Sequence, residues 1–203
     1  MNRIVFFIDG FNLYHSLDCS TTYYKYKWLN LDKLARCFVT SNEKIEKVFY
    51  FTTYATWDQV KLAKHQTYVK ALQFVNVEVV FGAFRYVDKT CRICHKQYKT
   101  FEEKQTDVNI AIKLFQTAVQ DLWDTAIIVS GDSDLIPAIR AVKSTFPAKR
   151  IGLVIPIGRR AEELKQIVDL HMKLKEKHLS TSQFADEIII DGGVRLTRPA
   201  TWK

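Results

Sequence analysis

The chain has 203 residues, of which 47% are hydrophobic, and it carries a formal net charge of +8. This length and composition predict one globular domain, with at most a small annex, and no apolar stretch of the sequence is long enough to span a bilayer. The positive charge favours a polyanionic partner, with nucleic acid first and an anionic membrane surface second.

The predicted elements alternate between strands and helices. An apolar run at 3–8 is closed by Asp9, which favours a first strand over a secretion signal and therefore a cytoplasmic protein. In chain order the predicted elements are a strand at 3–8, a helix through Leu17, a helix at 29–39, a strand at 45–54, a helix at 56–74, a strand at 76–87, a helix at 106–122, a strand at 125–130, a helix at 133–145, a strand at 150–156, a helix at about 159–170 and a short strand at 187–191. This alternation predicts an α/β fold with a mainly parallel, helix-covered sheet, whose working site lies beyond the carboxyl ends of its strands.

The segment DKTCRICHKQYKTFEEK (88–104) interrupts this pattern. It is too polar for a regular core element, so we expect an inserted loop or hairpin. The sequence has no internal repeat and no linker. We therefore expect one domain over 1–175 and a C-terminal extension over 176–203 that packs on it.

Four aspartates are predicted to reach one edge of the sheet. Asp9 ends the first strand, Asp132 and Asp134 follow a later strand, and Asp107 opens a helix. Carboxylates gathered in this way repel one another unless cations neutralise them, and Mg²⁺ or Mn²⁺ suit such oxygen ligands. The sequence therefore predicts a divalent-metal site that could cleave phosphodiester bonds.

Each of these residues also has a local explanation. Asp107 could favour a helix N-terminus, and Asp132 could cap the helix after it. Asn12 and Ser130 could support the carboxylates or merely cap neighbouring backbone. Capping preference alone is the less favoured explanation for four acids on one face.

Three blocks of the sequence resemble the signature blocks of the NYN domain, a PIN-like nuclease family. They are FFIDGFNLYHSL (6–17), EKQTDVNIA (103–111) and VSGDSDLIPAI (129–139), and the resemblance covers about residues 3–170. It implies a three-layer α/β/α fold and metal-dependent ribonuclease chemistry. The family's acidic positions fall on Asp9, Asp107, Asp132 and Asp134, with the accompanying asparagine at Asn12.

Three basic residues are expected to flank the acidic cluster. Arg159 and Arg160 follow the strand at 150–156 and would open the next helix, and Lys104 stands shortly before Asp107. Such side chains neutralise phosphates and raise nucleic-acid affinity. Salt bridges to the acids are the alternative.

The insertion carries Cys91 and Cys94, which suggest a zinc knuckle. A structural Zn²⁺ needs four ligands, and this segment supplies two thiols and at most one histidine, His95. Bound zinc is therefore the less favoured alternative to a hairpin with reduced cysteines. The other two cysteines, Cys19 and Cys37, are expected to be buried as small apolar residues.

These features together predict a metal-dependent ribonuclease, most simply an endoribonuclease, with RNA as its partner, Mg²⁺ or Mn²⁺ as cofactor and no membrane partner. Self-association is left open. The alternative is a non-catalytic RNA-binding or protein-interaction module on the same fold.

Overall fold

A six-stranded parallel sheet forms the centre of the protein, in a computed structural model that describes residues 1–18 and 20–202. The strands are β1 (Asn2–Asp9), β2 (Glu43–Thr52), β3 (Val77–Phe81), β4 (Ala83–Thr90), β5 (Gln97–Lys104), β6 (Thr125–Val129), β7 (Arg150–Ile155), β8 (Leu170–Lys173), β9 (Glu187–Ile190) and β10 (Val194–Thr197). The helices are α1 (Gly10–Asp18), α2 (Thr21–Tyr24), α3 (Leu31–Arg36), α4 (Gln59–Phe74), α5 (Thr106–Val119), α6 (Ile136–Thr145), α7 (Glu162–Ile167) and α8 (Glu176–Thr181).

The sheet has the order β3-β2-β1-β6-β7-β8, and all its neighbouring strands pair in parallel. Chain order therefore runs outwards in one direction from β1 and in the other from β6. Loops leaving these two adjacent strands diverge to opposite faces of the sheet, and a crevice opens between them.

Alternation along β1 fills two separate cores. Ile4, Phe6 and Ile8 face the layer that contains α1, α3 and α4, whereas Val5 and Phe7 face the layer of α5, α6 and α7. All five side chains are at most 1% exposed. The predicted three-layer α/β/α fold is thus confirmed, because a strand buried on both faces needs helices on both sides.

The prediction of one strand at 76–87 was wrong, because the chain breaks at Gly82 into two strands. The chain passes so close at Gly82 that a Cβ there would stand 2.6 Å from Thr106 Oγ1. Residues before it form β3 in the main sheet, and those after it form β4. The strand β4 pairs antiparallel with β5, so the hairpin begins at Ala83 rather than at residue 88.

The predicted helix at about 159–170 was too long at both ends. The observed α7 spans Glu162–Ile167, and Leu170–Lys173 form the sixth sheet strand. The prediction that Cys37 is buried was also wrong. Cys37 directly follows α3, and it is exposed. Cys19 and Lys203 lie outside the described residues.

Residues after Lys175 pack on the α1, α3 and α4 layer. Trp202 and Phe184 contact the fully buried Trp28, with ring centroids 6.4 and 5.4 Å from it. The Trp28 indole N–H also donates to the Ala185 carbonyl oxygen. The C-terminal extension therefore covers apolar surface that helices alone leave open.

An ion-pair network closes the opposite, amino-terminal edge of the sheet. Arg3 contacts both Asp124 and Asp121, and Lys149 Nζ lies 2.7 Å from Asp121 Oδ1. These residues flank the starts of β1, β6 and β7, so this network joins three strands.

Within residues 1–18 and 20–202, no helix combines the length and the apolar character needed to cross a membrane.

Candidate active site

Asp9 lies at the crevice between β1 and β6. It is the most buried of the ionisable residues predicted for the site. Its side chain is 4% exposed. Asp9 Oδ1 accepts a hydrogen bond from the Asn12 backbone N–H at 2.9 Å, and Oδ2 accepts one from Ser130 Oγ at 2.8 Å. Burial raises the pKa of Asp9 to about 6, against the opposing effect of these hydrogen bonds.

The loop after β6 is tied to β1 by the same groups. Ser130 Oγ accepts a hydrogen bond from the Asp132 backbone N–H at 3.0 Å, and Asn12 Oδ1 accepts one from the Gly131 N–H at 3.1 Å. Asn12 and Ser130 thus fix the relative position of two strand ends.

Asp132 caps the turn that follows it, which is the local role considered for it from the sequence. Its Oδ1 accepts a hydrogen bond from the Asp134 N–H at 3.0 Å and caps the 3₁₀ turn of Ser133–Leu135. This uses one oxygen, and Asp132 still lines the cavity beside Asp9. Asp134 is exposed and lies outside the cavity lining.

Asp107 approaches the crevice from the first turn of α5. Gln105, directly before this helix, has a φ of 77°, in the left-handed region, and this turns the chain from β5 into α5. Burial raises the pKa of Asp107 to about 6, and the charges of three other aspartates act in the same direction: Asp132, Asp9 and Asp134. These side chains therefore share one electrostatic environment.

Glu103 is a further carboxylate of the cavity, and sequence reasoning gave it no role. It is half-buried near the end of β5, and burial raises its pKa, with the charges of Asp107 and Asp132 adding to the shift. Glu103 stands at the head of the EKQTDVNIA block, so its place in that block was the signal that could have identified it.

The acids lie along a cavity of about 870 Å³ that continues between α1 and α4. Its other walls are aromatic and basic. Besides Asp9, Glu103, Asp107 and Asp132, its lining includes Phe11, Tyr14, Trp57, Phe84, Phe101, Lys61, Lys64 and Arg159.

The three predicted basic residues have different positions. Arg159 lines the cavity, and its side chain packs over Gly131, where a Cβ would stand 3.1 Å from Arg159 Cβ. Arg160 is exposed in the same loop, which precedes α7 rather than opening it. Lys104 pairs with Glu102 at 3.0 Å and lies outside the cavity lining. A phosphate contact by Lys104 or Arg160 stays a prediction.

The donor set fits a hard, hydrated cation. All the acidic donors are carboxylate oxygens, and their mutual repulsion is the kind that a divalent ion relieves. Among the described residues, no three His, Cys, Asp or Glu side chains already stand together as a ligand set. A hydrated divalent ion can bind through only one or two carboxylates and retain several waters.

Cys91 and Cys94 occupy the tip of the β4–β5 hairpin. Cys91 exchanges backbone hydrogen bonds across this turn with Lys96 and His95. Both cysteines are free. In the described part of the chain, they belong to no group of three or more side chains that could hold a metal ion. Zinc binding by these thiols stays a prediction.

Known proteins similar to this chain were found at three levels. The model of the NYN domain family matches residues 3–175. Over 238 residues the chain is 25% identical to 6-hydroxy-3-succinoylpyridine 3-monooxygenase HspA from Pseudomonas putida (strain DSM 28022 / S16), with 98% of this chain and 75% of that protein covered. A crystal structure of a protein of unknown function from Vibrio parahaemolyticus RIMD 2210633 has a TM-score of 0.58 at 15% identity, with 86% of this chain and 94% of that chain covered.

The structural likeness supports the fold alone, whereas the family match bears on the chemistry. NYN domains are a nuclease-like family that acts on nucleic acids, and their nuclease-type members typically use divalent metal ions. The resemblance found in three sequence blocks is confirmed, and this chain belongs to the NYN domain family.

Proposed function

We propose that this protein is a divalent-metal-dependent ribonuclease that hydrolyses RNA at the carboxylate cluster of the β1–β6 crevice. The observation that best supports this is the convergence of Asp9, Asp107 and Asp132 on one cavity. The charges of Asp9 and Asp132 raise the pKa of Asp107, although the three residues belong to separate chain segments. A structural role alone gives no reason to keep such unfavourable charges together.

Asp9, Asp107 and Asp132 are the residues that would hold Mg²⁺ or Mn²⁺, with the exposed Asp134 as an outer contributor. When bound, such an ion polarises a phosphate and lowers the pKa of a water molecule.

The remaining residues orient the reaction. Ser130 and the Asn12 backbone N–H hold the Asp9 carboxylate in one orientation. Arg159 carries positive charge into the same cavity, where it would bind a phosphate oxygen. Glu103, whose pKa is raised by burial, is placed to hold a proton exchanged with water or with the leaving oxygen.

The direct test is cleavage of an end-labelled RNA by purified protein with Mg²⁺, with Mn²⁺ and with EDTA. We expect cleavage only with metal. Asp9→Asn and Asp132→Asn should each lose about 100-fold or more of the rate. Asp191→Asn, a neutralisation in the C-terminal 3₁₀ turn of Asp191–Gly193, is the matched control and should cut like the wild type.

Equal rates in the wild type and in both site variants would overturn the site assignment. RNA that stays intact with every metal while it remains bound in a salt-sensitive manner would favour the non-catalytic RNA-binding alternative. A cytoplasmic location, and any self-association, stay predictions.

A second candidate comes from the pyridine substrate in the name of the Pseudomonas relative. The aromatic walls of the cavity could also take a small heterocyclic ring. Incubation with 6-hydroxy-3-succinoylpyridine, oxygen and a reduced nicotinamide separates the candidates, because a monooxygenase would consume the pyridine and leave RNA intact.

A further inference from the structure

Four aromatic side chains from separate segments form a continuous wall next to the acids. Phe84 meets Phe11 edge-on, with ring centroids 5.6 Å apart, and meets Trp57 in the same manner at 4.6 Å. Trp57 stacks on Phe101 at 3.7 Å, with an angle of 3° between the ring planes. All four rings line the cavity that contains the carboxylates.

This aromatic wall (Phe11, Trp57, Phe84 and Phe101) is not part of either hydrophobic core. Trp57 is 44% exposed and Phe101 is 36% exposed, whereas the core residue Trp28 is fully buried. Grouped, exposed aromatic rings are uncommon on a protein surface unless they bind something. The β4–β5 hairpin supplies two of them, Phe84 and Phe101. This hairpin therefore forms part of the cavity wall.

The aromatic wall shares its cavity with negative and positive groups. Phe11 is two residues from Asp9, and Glu103 is two residues from Phe101 along β5. Lys61 and Lys64 of α4 also line this cavity. A ligand in this cavity can therefore meet carboxylates, flat apolar rings and cationic groups.

We infer that the aromatic wall is a nucleobase subsite, on which a base next to the scissile phosphate stacks while Lys61 and Lys64 contact neighbouring phosphates. The inference rests on the proposed function for the placement of the phosphate at the acids. Bases have flat π-faces that stack on aromatic side chains independently of sequence. A base paired within a duplex cannot reach this wall without leaving its own stack, so the subsite selects unpaired nucleotides.

The test measures binding rather than cleavage. The Asp107→Asn background, which keeps RNA intact and lowers the repulsion in the cavity, is titrated into a fluorescent single-stranded RNA and into the same strand with abasic positions. Trp57→Ala and Phe84→Ala should each weaken binding of the base-containing strand by about 5- to 150-fold. Both variants should bind the abasic strand like their background, and Trp57→Phe should restore most of the lost affinity.

Phe74→Ala is the matched control, since Phe74 is an exposed aromatic residue at the end of α4 and lies outside the cavity lining. It should leave both affinities unchanged. The inference is overturned if Trp57→Ala has no effect, or if it weakens intact and abasic strands equally. Base-dependent binding without any cleavage by the wild type would support the subsite and reject the nuclease. Cleavage with base-independent binding would do the reverse.

Discussion

Ser130 donates its hydroxyl proton to Asp9 Oδ2 over 2.8 Å, and this bond joins two buried residues at the ends of neighbouring strands. Ser130 Oγ also accepts a hydrogen bond from the Asp132 backbone N–H. One hydroxyl therefore holds the Asp9 carboxylate and the backbone of Asp132 in fixed relation to each other.

Removal of the Ser130 hydroxyl should change the pKa of Asp9 and lower the unfolding free energy without unfolding the protein. In Ser130→Ala, the pKa of Asp9 should rise above about 6, because the hydroxyl favours the ionised carboxylate. The lost bond to a buried group should cost about 1–3 kcal/mol of unfolding free energy. Carboxyl ¹³C NMR titration and urea unfolding measure the two effects. Ser144→Ala, which removes an exposed hydroxyl from α6, should change neither.

Electrostatic coupling across the cavity can be measured directly. Burial and the charge of Asp132 both raise the pKa of Asp107 to about 6. Asp132→Asn should therefore lower the pKa of Asp107 in the metal-free protein, as followed by the same NMR titration. An unchanged Asp107 pKa would show that the two carboxylates do not share a site. Asp191→Asn serves again as the distant control.

Neutralisation of Asp9 should stabilise the metal-free protein at neutral pH. The folded-state pKa of Asp9, about 6, lies above the usual value of 3.8, so the ionised carboxylate opposes folding above pH 6 and has no effect below about pH 4. In EDTA, the unfolding free energy of Asp9→Asn relative to wild type should increase from pH 4 to pH 6, by at most about 3 kcal/mol, and then level off.

Asp124→Asn provides a control of opposite sign. Hydrogen bonds from Arg3 lower the pKa of Asp124 to about 2, so its charge stabilises the folded state above pH 4. This variant should lose stability relative to wild type at pH 7. If both variants shift in the same direction, the electrostatic account of Asp9 is wrong.

Backbone strain at Gln105 should also be relieved by substitution. Its φ of 77° costs a residue with a Cβ about 1–2 kcal/mol, whereas glycine adopts this conformation readily. Gln105→Gly should therefore raise the unfolding free energy by about 0.5–1 kcal/mol, after the greater chain entropy of glycine is taken into account. Gln105→Ala retains the strain and should show no such gain in thermal or urea unfolding.

The sequence predicted where Asp9 and Asp132 of the candidate site lie, because their placement depends on local structure. Asp9 ends a buried apolar strand and Asp132 lies in the loop directly after one, so both are placed at the carboxyl edge of the sheet. The supporting contacts of Asn12 and Ser130 are made by residues adjacent to these strand ends.

The parts that were missed depend on distant contacts or on unusual backbone. A left-handed turn at Gln105 separates Glu103 from Asp107 and lets both line the cavity, and no periodicity reveals such a turn. The aromatic wall needs rings from four segments that only the folded chain brings together. The short strand β8 was not predicted, and only its first residue, Leu170, fell within the predicted helix, since four residues carry too little pattern to identify a strand.

The Arg3, Asp121, Asp124 and Lys149 network gives the two edges of the sheet opposite responses to ionic strength. Dissolved salt weakens the attraction within the solvent-accessible ion pairs, and it also weakens the repulsion among the cavity carboxylates, to a smaller extent because they are partly buried. Added sodium chloride should therefore reduce the electrostatic stabilisation at the edge where the strands begin and reduce the electrostatic destabilisation at the edge where they end. The attractive ion pairs at the amino-terminal edge thus offset part of the repulsion that the clustered carboxylates add at the carboxyl edge.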